Sequence, residues 1–584
     1  MRGRQILGSS LIACVLGLAA AVALAQPSPA PNACAAVMTA CQQAGYRPGG
    51  ASQGMGLLVD CIRPIMRGGQ ANRTGHALPQ IDPQLVAACR AQNPDFGRRQ
   101  AANVPIVTPQ QVPPPPAVAP ATRSERKPPN IVFILTDDLS WNLIQFMPHV
   151  LEMQKRGVSF SNYFVTDSLC CPSRSSIFTG RFPHNTGIFR NTGTDGGYVA
   201  FHNRGHEQAT FAVPLAAAGY RMAMLGKYLN GYLPPQHSPA PGWSYWAVAG
   251  NGYPGFNYNL NQSGNVVHYG VQPSDYITDV LSGMAKTFIA QSGNRPFVIE
   301  VATFAPHMPY TPAPRDANAF AGLQAPRTAA FDAVPDANAP QWLKSHRALS
   351  QADIAGIDRD FRKRAQSVLA VDQMIGELQA AVAALGEADN TYFVFSSDNG
   401  YHMGEHRLMP GKMTAFDTDI RVPLIITGPG VPAGVMLDDI AENIDLCPTF
   451  TELAGLTPAP TIDGRSLVRL LHGEKVAGWR TVALVEHHGP VTDRTDPDLP
   501  GMRSGNPPSY EAMRSATSVY VEYANGEREY HDLTTDLDEL HNTYASLPDE
   551  TKASLHAALT ALSTCQGAQA CRAAETAGAH LTQR

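Results

Sequence analysis

The chain has 584 residues, with 44 basic and 49 acidic side chains that give a formal net charge of −5. Such a length exceeds what one compact core accommodates, so two or three domains are expected. No block of like charge stands out, which argues against a nucleic-acid-binding arm or a membrane-adsorbing surface. The 50 glycines and 48 prolines favour a loop-rich protein over a helical bundle.

The N-terminus has the pattern of an export signal. Two arginines among the first four residues precede an apolar run from Ile12 to Leu24, and Ala23-Leu24-Ala25 offers a small-x-small cleavage site. A retained membrane anchor is disfavoured because the run is short for a span and a Pro-rich polar segment follows it. A lipoprotein is disfavoured because most of the run follows Cys14. Residues 1–25 are therefore predicted to be a signal peptide, and the mature chain to be exported, periplasmic or secreted, without a membrane span.

Residues 26–97 are predicted to form a small helical module, followed by a Pro-rich linker over residues 98–128. A unit of this size buries little core without cross-links. A zinc site is the weaker interpretation of its cysteines, because no Cys-x-x-Cys pair is present. The sequence assigns the module no catalytic role. It contains enough cysteines for two disulfides in an oxidising compartment: Cys34, Cys41, Cys61 and Cys89.

From Asn130 onward the pattern changes to alternating strands and helices. Ile131–Leu135 is a continuous apolar run, as expected of a strand buried on both faces of a parallel sheet. The clearest helix is Ala365–Leu385, with apolar residues at helical spacing. This alternation predicts an α/β domain over residues 129–460, with a mostly parallel central sheet. Comparable strand-like runs are Met222–Leu225, Phe297–Val301, Tyr392–Phe395 and Leu424–Ile426.

Residues 461–584 are predicted to form a C-terminal subdomain with a small antiparallel sheet. Val519–Tyr523 and Glu529–Leu533 flank the turn sequence Asn525-Gly526, which is typical of a β-hairpin. A helix over Leu547–Leu562 is expected to pack beside it. Cys565 and Cys571 form a further close cysteine pair, whereas Cys447 lies among apolar residues and is expected to be buried and inert.

Two polar clusters follow predicted strands. Asp137 and Asp138 come directly after the first strand, and Asp398 and Asn399 come after the strand at 392–395. Ligands in open α/β sheets collect at the carboxyl ends of strands. Each cluster alone is an ordinary turn sequence. Together, three carboxylates and an amide favour a site for a hard cation, Ca²⁺ or Mg²⁺.

The segment Cys170-Cys171-Pro172-Ser173-Arg174-Ser175-Ser176 carries the strongest functional signal. It resembles the signature of the type I sulfatases, in which the cysteine of Cys-x-Pro-Ser-Arg is oxidised to formylglycine before folding. Pro172 suits the first turn of a helix. Residue 170 would then lie at the positive helix end, where an anion is stabilised. A structural thiol pair is the alternative, and the flanking Thr179-Gly180-Arg181, which also matches the family, disfavours it.

The resemblance extends over residues 129–545 and implies an alkaline-phosphatase-like α/β/α sandwich. One departure concerns Leu229, which stands where arylsulfatases have the His of Lys-x-His. That contact is therefore absent or supplied elsewhere. The chain most resembles the N-acetylglucosamine-6-sulfatases and the extracellular heparan 6-O-endosulfatases, through Pro183-His184-Asn185, Gly400-Tyr401-His402 and Glu529-Tyr530-His531-Asp532-Leu533.

The family resemblance also implies roles for individual residues. Arg174 would steady the formylglycine, while Lys227 and Lys412 would clamp the sulfate. His307 would protonate the leaving oxygen, with Lys412 as the competing acid. A formylglycine-generating enzyme is the implied maturation partner. The implied ligands of the cation, Ca²⁺ with Mg²⁺ as the alternative, are Asp137, Asp138, Asp398, Asn399 and the modified residue 170.

Three functions are compatible with these residues. The first is hydrolysis of a 6-sulfated N-acetylglucosamine or related sulfated glycan, in which one hydroxyl of the formylglycine hydrate attacks sulfur and the other later expels sulfate. The second is a phosphonate or phosphodiester hydrolase of the same superfamily. The third is a catalytically dead glycan-binding homologue with an unmodified Cys170. For the first, His402 is a candidate substrate contact, and the hairpin around Glu529–Leu533 is expected to close one side of the pocket.

Overall fold

The computed structural model of the chain describes residues 33–46, 57–66, 78–92 and 127–577. The chain separates into two compact units that divide between residues 122 and 123. The predicted signal peptide and nearly all of the predicted linker lie outside the described residues. In the described part, no helix has both the length and the apolar character needed to cross a bilayer.

The N-terminal unit is a small cross-linked helical module, as predicted. A disulfide joins Cys41 to Cys61, and Cys89 is also disulfide-bonded. These sulfurs are therefore not free thiolates for a metal ion. Val37 and Ile62 are among the apolar residues buried between the helices. The helices are α1 (Ala33–Gln43), α2 (Arg63–Met66), which continues a π-helical turn at Leu57–Ile62, and α3 (Pro83–Gln92).

The second unit is built on a ten-stranded mixed sheet. Its five central strands are parallel, in the order β9-β1-β8-β4-β5, and β10 lies antiparallel against β9. The strands of this sheet are β1 (Asn130–Thr136), β2 (Val158–Phe160), β4 (Arg221–Lys227), β5 (Tyr245–Ala249), β6 (Tyr258–Gln262), β7 (Asn265–Tyr269), β8 (Phe297–Ala302), β9 (Thr391–Ser397), β10 (Leu424–Thr427) and β11 (Val435–Leu437). A separate two-stranded ladder pairs β3 (Tyr163–Phe164) with β12 (Ala441–Glu442).

Both faces of the sheet are covered by helices, which confirms the predicted α/β/α sandwich. Alternate residues of β1 enter two different cores, Phe133 on one face and Ile134 on the other. The helices are α4 (Pro148–Arg156), α5 (Cys170–Thr179), α6 (Pro183–Thr186), α7 (Gly197–Asn203), α8 (Ala212–Ala217), α9 (Ile277–Ala290), α10 (Gln341–Lys344), α11 (Gln351–Ala384), α12 (Asp417–Ile420), α13 (Leu446–Leu453) and α14 (Val468–Leu471).

Helix α11 begins well before the predicted start at Ala365. Ser350 caps it, and the side chain of Asp353 completes a capping box. Its first half buries charged side chains, among them Asp358 and Arg364, which interrupt the apolar stripe. The predicted start was therefore too late, because burial of ion-paired and hydrogen-bonded residues is not visible in an apolar pattern.

The C-terminal sheet has four antiparallel strands in the order β13-β14-β15-β16. The predicted hairpin is present as β15 and β16, and the predicted helix as α15, whose Leu559 packs against the sheet. Cys565 and Cys571 form a disulfide, and Cys447 is a buried free thiol. The elements are β13 (Val482–His487), β14 (Tyr510–Ser515), β15 (Ser518–Tyr523), β16 (Arg528–Asp532), α15 (Asp549–Ser563) and α16 (Gly567–Ala577).

A buried ion network ties α16 to the rest of the catalytic unit. The Arg480 guanidinium is fully buried and lies 2.7 Å from Oδ2 of Asp445 and 2.8 Å from Oε2 of Glu442. Its Nε lies 3.1 Å from Oε1 of Glu575, which belongs to α16. Removing one partner from such a network leaves buried charge without compensation, which is costly.

We expect Arg480→Gln to lower the free energy of unfolding by about 3–5 kcal/mol, because three buried carboxylates lose their shared cation. Arg469→Gln is the matched control: Arg469 pairs with one glutamate at the surface, and its loss should change stability by less than about 1 kcal/mol. Urea unfolding of both variants provides the measurement. Equal, small effects would show that the network contributes specificity of structure rather than stability.

Candidate active site

The two predicted acidic clusters meet at one edge of the sheet. β1 and β9 are parallel neighbours whose last residues, Thr136 and Ser397, are paired in register. The backbone N–H of Asp138 donates to Oδ1 of Asp398 at 3.1 Å, and Nδ2 of Asn399 donates to Oδ1 of Asp138 at 2.7 Å. Asp138 has a φ of 64°, a strained value for a non-glycine residue. Strand pairing therefore brings side chains 260 positions apart into contact.

Helix α5 presents Cys170 to this edge as its first residue, with Leu169 as the N-cap. The Cys170 sulfur is 3.3 Å from Oδ1 of Asp137 and 2.9 Å from Nζ of Lys412. Pro172 occupies the first turn, as predicted, where its missing N–H costs no hydrogen bond. Cys170 thus lies at the positive end of a helix, between a carboxylate and an ammonium group.

Arg174 lies one turn after Cys170 and links three parts of the site. Its Nε donates to Oδ2 of Asp398 at 2.8 Å, and its Nη1 donates to the backbone oxygen of Lys227 at 2.8 Å. Burial alone would raise the pKa of the Asp398 carboxyl, but the positive charge of Arg174 lowers it below its ordinary value. Asp398 is therefore held as a carboxylate, and α5 is fixed relative to β4 and β9.

Two buried lysines face the acidic cluster. Nζ of Lys227, the last residue of β4, lies 2.6 Å from Oδ2 of Asp137. Nζ of Lys412 lies 2.7 Å from Oδ1 of Asp138. Burial would lower the pKa of each lysine, but Asp137 beside Lys227 and Asp138 beside Lys412 raise both pKa values well above normal. Both side chains are therefore ammonium cations.

His307 completes the group. Its Nδ1 lies 2.7 Å from the backbone oxygen of Met308, so Nδ1–H donates there and Nε2 faces the site. Nε2 is 2.6 Å from Oδ1 of Asp498 and 3.7 Å from Oδ2 of Asp138. Burial lowers the pKa of His307, but the charges of Asp138 and Asp498 outweigh burial and raise it. Because Nδ1–H points to a carbonyl and Nε2 lies beside a carboxylate oxygen, the arrangement favours a proton on each ring nitrogen.

The donor set fits a divalent cation. One potential ligand atom from each of Asp137, Asp138, Cys170 and His307 lies within 4.8 Å of the others. Asp398 bonds directly to this group through Asp138, and Oδ1 of the buried Asn399 has no hydrogen-bond partner. Carboxylate and amide oxygens are ligands for Ca²⁺ or Mg²⁺ rather than for Zn²⁺.

Some predicted contacts are replaced by others. Leu229, which stands where arylsulfatases have a histidine, is buried among apolar residues. The next residue in the chain, Asn230, is polar. Asn230 donates from Nδ2 to the Tyr253 hydroxyl at 3.3 Å. The Tyr253 ring lies under Nζ of Lys227 at 5.0 Å and beside the His307 ring at 4.6 Å. An aromatic face therefore lies against the lysine and the histidine of the site.

His402, the candidate substrate contact, is held by the protein at both ring nitrogens. His402 is only 1% exposed. Its Nδ1 lies 3.0 Å from both carboxylate oxygens of Asp419, and its Nε2 lies 3.0 Å from the backbone oxygen of Ser504. Because both ring nitrogens are used within the protein, His402 fixes the connection that carries Ser504. A contact between His402 and substrate stays a prediction.

The wall of the pocket is also different from the expected one. The cavity of about 360 Å³ in front of Asp138, His307 and Lys412 is lined by residues 497–501 and 504, which lie between β13 and β14. The hairpin β15–β16 supplies none of the residues that line this cavity. β13 contacts the catalytic core, through the N–H of Glu486 and the oxygen of Thr166, and the order of the sheet places the hairpin farther away.

Two site residues had no signal in the sequence. Asn191 accepts a hydrogen bond at Oδ1 from the backbone N–H of Cys171 at 2.9 Å, and its Nδ2 donates to Oδ2 of Asp498 at 2.7 Å. Both lie in irregular connections without a periodic pattern. Only the three-dimensional arrangement shows that these two residues adjoin Cys170.

Comparisons with known proteins identify two matching families and several similar relatives. Residues 129–456 match the family described as Sulfatase, and residues 404–564 match the one described as N-sulphoglucosamine sulphohydrolase, C-terminal. N-acetylglucosamine-6-sulfatase from Homo sapiens is 34% identical over 474 residues, which cover 75% of this chain and 85% of that protein. A putative extracellular sulfatase Sulf-1 homolog from Caenorhabditis elegans is 34% identical over 378 residues, covering 61% of this chain and 52% of that protein.

A solved structure supports the fold. It is described as a complex with the substrate D-glucosamine-2-N,6-O-disulfate, and its TM-score to this chain is 0.63. The superposition covers 74% of this chain and 97% of the other, at 24% sequence identity. At that identity the likeness establishes the architecture, including the central sheet with helices on both faces.

Proposed function

The chain belongs to the sulfatase family, and from that premise we propose that it hydrolyses the sulfate ester of 6-sulfated N-acetylglucosamine or of a related sulfated glycan. The observation that carries the proposal is the position of Cys170. It is the first residue of a buried helix, 2.9 Å from Nζ of Lys412 and 3.3 Å from Oδ1 of Asp137. A nucleophile made from this residue lies where positive charge can stabilise a reacting anion.

Two groups implied by family membership complete the site. Formylglycine, made from Cys170 by a formylglycine-generating enzyme, would supply the nucleophile. A divalent cation, Ca²⁺ with Mg²⁺ as the alternative, would supply Lewis acidity when held by a set of oxygen ligands and the modified residue. This proposed set is Asp137, Asp138, Asp398, Asn399 and residue 170.

The positively charged side chains have different roles in the proposed reaction. Arg174 is a positioning residue. Through its bonds to Asp398 and to the backbone of Lys227, it fixes the start of α5 against two strands. Lys227 and Lys412 bind the sulfate oxygens with preformed positive charge. Both ammonium groups are held in position by carboxylates before the ester enters.

We assign the proton donation to His307. A sulfate ester of an alcohol has a poor leaving group, so the departing oxygen needs an acid. Nε2 is the ring atom of His307 that faces the site, and its place 2.6 Å from Oδ1 of Asp498 favours the protonated form. Lys412 is the competing donor. An ammonium group is ordinarily a much weaker acid than an imidazolium, so Lys412 is better suited to bind an anion than to donate a proton.

The glycan preference is supported by the relatives described as N-acetylglucosamine-6-sulfatases. A site that hydrogen-bonds sugar hydroxyls rejects compounds that lack them. We expect kcat/KM for N-acetylglucosamine 6-sulfate to exceed that for nitrophenyl sulfate and choline sulfate by about 100-fold or more. A sulfated galactan fragment tests the choice of sugar. Faster turnover of a phosphonate or phosphodiester in the same panel would establish the alternative activity.

We further propose that the protein acts outside the cytoplasm. Three described cysteines of the N-terminal unit and the pair Cys565–Cys571 are in disulfides, which form and persist in oxidising compartments. The similarity to a relative described as an extracellular sulfatase agrees with export. Labelling of free thiols before and after reduction, in protein recovered from its native compartment, tests this.

A further inference from the structure

The connection between β13 and β14, residues 488–509, places one carboxylate inside the proposed sulfate site. This side chain belongs to Asp498 and is only 3% exposed. Its Oδ1 lies 2.6 Å from Nε2 of His307 and 2.9 Å from Nζ of Lys412. These are two of the groups that the proposed function assigns to the sulfate ester. The carboxylate of Asp498 therefore pairs with the two side chains that are proposed to bind the substrate.

The second oxygen of the same carboxylate is also bound. Oδ2 of Asp498 accepts from Nδ2 of Asn191 at 2.7 Å and from Nδ2 of Asn230 at 3.4 Å. Burial would raise the pKa of Asp498, but Lys412 and His307 lower it well below its ordinary value. Two cations and two amide donors thus surround one anion. We call these four residues, His307, Lys412, Asn191 and Asn230, the anion cradle.

We propose that Asp498 is an internal anion that occupies the anion cradle until a sulfate ester displaces it, and that it thereby sets the affinity of the enzyme for its substrate. This inference rests on the proposed function. His307 has a single N–H on Nε2, and Oδ1 of Asp498 occupies it at 2.6 Å, so a sulfate oxygen can accept this proton only after Asp498 has moved away. Sulfate binding and Asp498 binding at Nε2 of His307 are therefore alternative states.

The connection that carries Asp498 is exposed at its tip, with Met502 fully accessible and Leu499 more than a third accessible. Its base is fixed, because the side chain of Asn506 makes two 2.8 Å hydrogen bonds with the backbone of Val491. Arg503, between the tip and the base, is bound to Asp353 and Met409. Displacement of Asp498 therefore requires movement only of the segment around it, while the base remains attached to the sheet.

The exchange predicts a measurable gain in affinity when the internal anion is removed. A ligand that binds only the open state has an apparent Kd equal to the intrinsic value divided by the open fraction. If the closed state is favoured by about tenfold, Asp498→Asn should bind inorganic sulfate about tenfold more tightly. The asparagine keeps the size of the side chain but carries no charge.

Isothermal titration with sodium sulfate tests this in a Cys170→Ala background, which removes turnover from the measurement. Asp493→Asn is the matched control: Asp493 lies on the same connection and accepts from the Thr192 hydroxyl at 2.6 Å, but contacts neither cation of the cradle. We expect tighter sulfate binding for Asp498→Asn and unchanged binding for Asp493→Asn. Unchanged or weaker binding for Asp498→Asn, or an equal gain in both variants, overturns the proposal.

A second measurement covers the case in which the variant is less stable. Sulfate should raise the melting temperature of Asp498→Asn more than that of the parent, because it restores charge compensation to His307 and Lys412. Equal shifts overturn the proposal. If sulfate binds the parent and the variant equally, only the role of Asp498 fails. If sulfate binds neither, the proposed sulfate site itself fails.

Discussion

Replacing Cys170 by alanine is expected to lower the turnover of sulfate esters by about 10⁴-fold or more, because it removes the precursor of the nucleophile. Cys170 alone has its sulfur between Lys412 and Asp137. The fold should persist, since alanine is tolerated at a helix start. Turnover of nitrophenyl sulfate and circular dichroism provide the two measurements.

Cys171→Ala is the matched control. Cys171 is equally buried, but its backbone N–H bonds to Asn191 and its side chain enters the apolar core on one face of the sheet. Its loss should leave considerable activity and cost about 1 kcal/mol of stability. Comparable inactivation of two well-folded variants would contradict the assignment of residue 170. Mass analysis of the tryptic peptide adds a direct check, because formylglycine replaces SH₂ of cysteine by O.

Asp137→Asn is expected to reduce both the bound cation and the activity, the latter by about 10³-fold. The substitution keeps the shape of the side chain but removes a carboxylate that contacts Lys227 and Cys170. Elemental analysis of the wild-type protein should find one calcium or magnesium ion per chain, and the variant should retain much less. Stoichiometric zinc in active enzyme would show that the oxygen-ligand assignment is wrong.

Asp372→Asn serves as the control for this experiment. Asp372 is also a buried acid, but it pairs with His149 and the start of α4, away from the cluster. Its loss should affect stability without altering the metal content. A fall in calcium in both variants would mean that the assay reports unfolding instead of ligand loss. Readdition of Ca²⁺ to chelated wild-type enzyme should restore turnover.

The sequence predicted four of the five central strands, β1, β4, β8 and β9, because each is buried on both faces, whereas β5 was not predicted. A run such as Ile131–Leu135 has one simple cause, and the structure places β1 in the middle of the sheet. β6 and β7 had no such signal: residues of β7 are mostly exposed at the edge of the sheet. Half of α11 was missed for the opposite reason, since Asp358 and Arg364 are polar but buried.

Some residues of the site were likewise predicted from the sequence, and others were not. Asp137 and Asp398 were found because they directly follow strands that happen to be parallel neighbours. Asp498 was missed because nothing local distinguishes an aspartate that enters the site from one that faces water. It reaches His307 across 191 positions of sequence, through a connection whose path depends on how the C-terminal sheet packs against the core. Long-range packing of this kind has no periodic trace in the chain.

The burial of helix α5 has a consequence for how active protein is obtained. All ten residues from Cys170 to Thr179 are buried, so a modifying enzyme has no access to the thiol once the core has closed around it. If Cys170 is oxidised to formylglycine, as proposed, oxidation and folding therefore compete for each new chain. The central sheet forms only after residues as distant as 131 and 392 have paired, and long-range pairing of this kind is slow. The specific activity of a preparation would thus depend on the ratio of the rate of oxidation to the rate of folding. Purification of the folded protein cannot change that ratio.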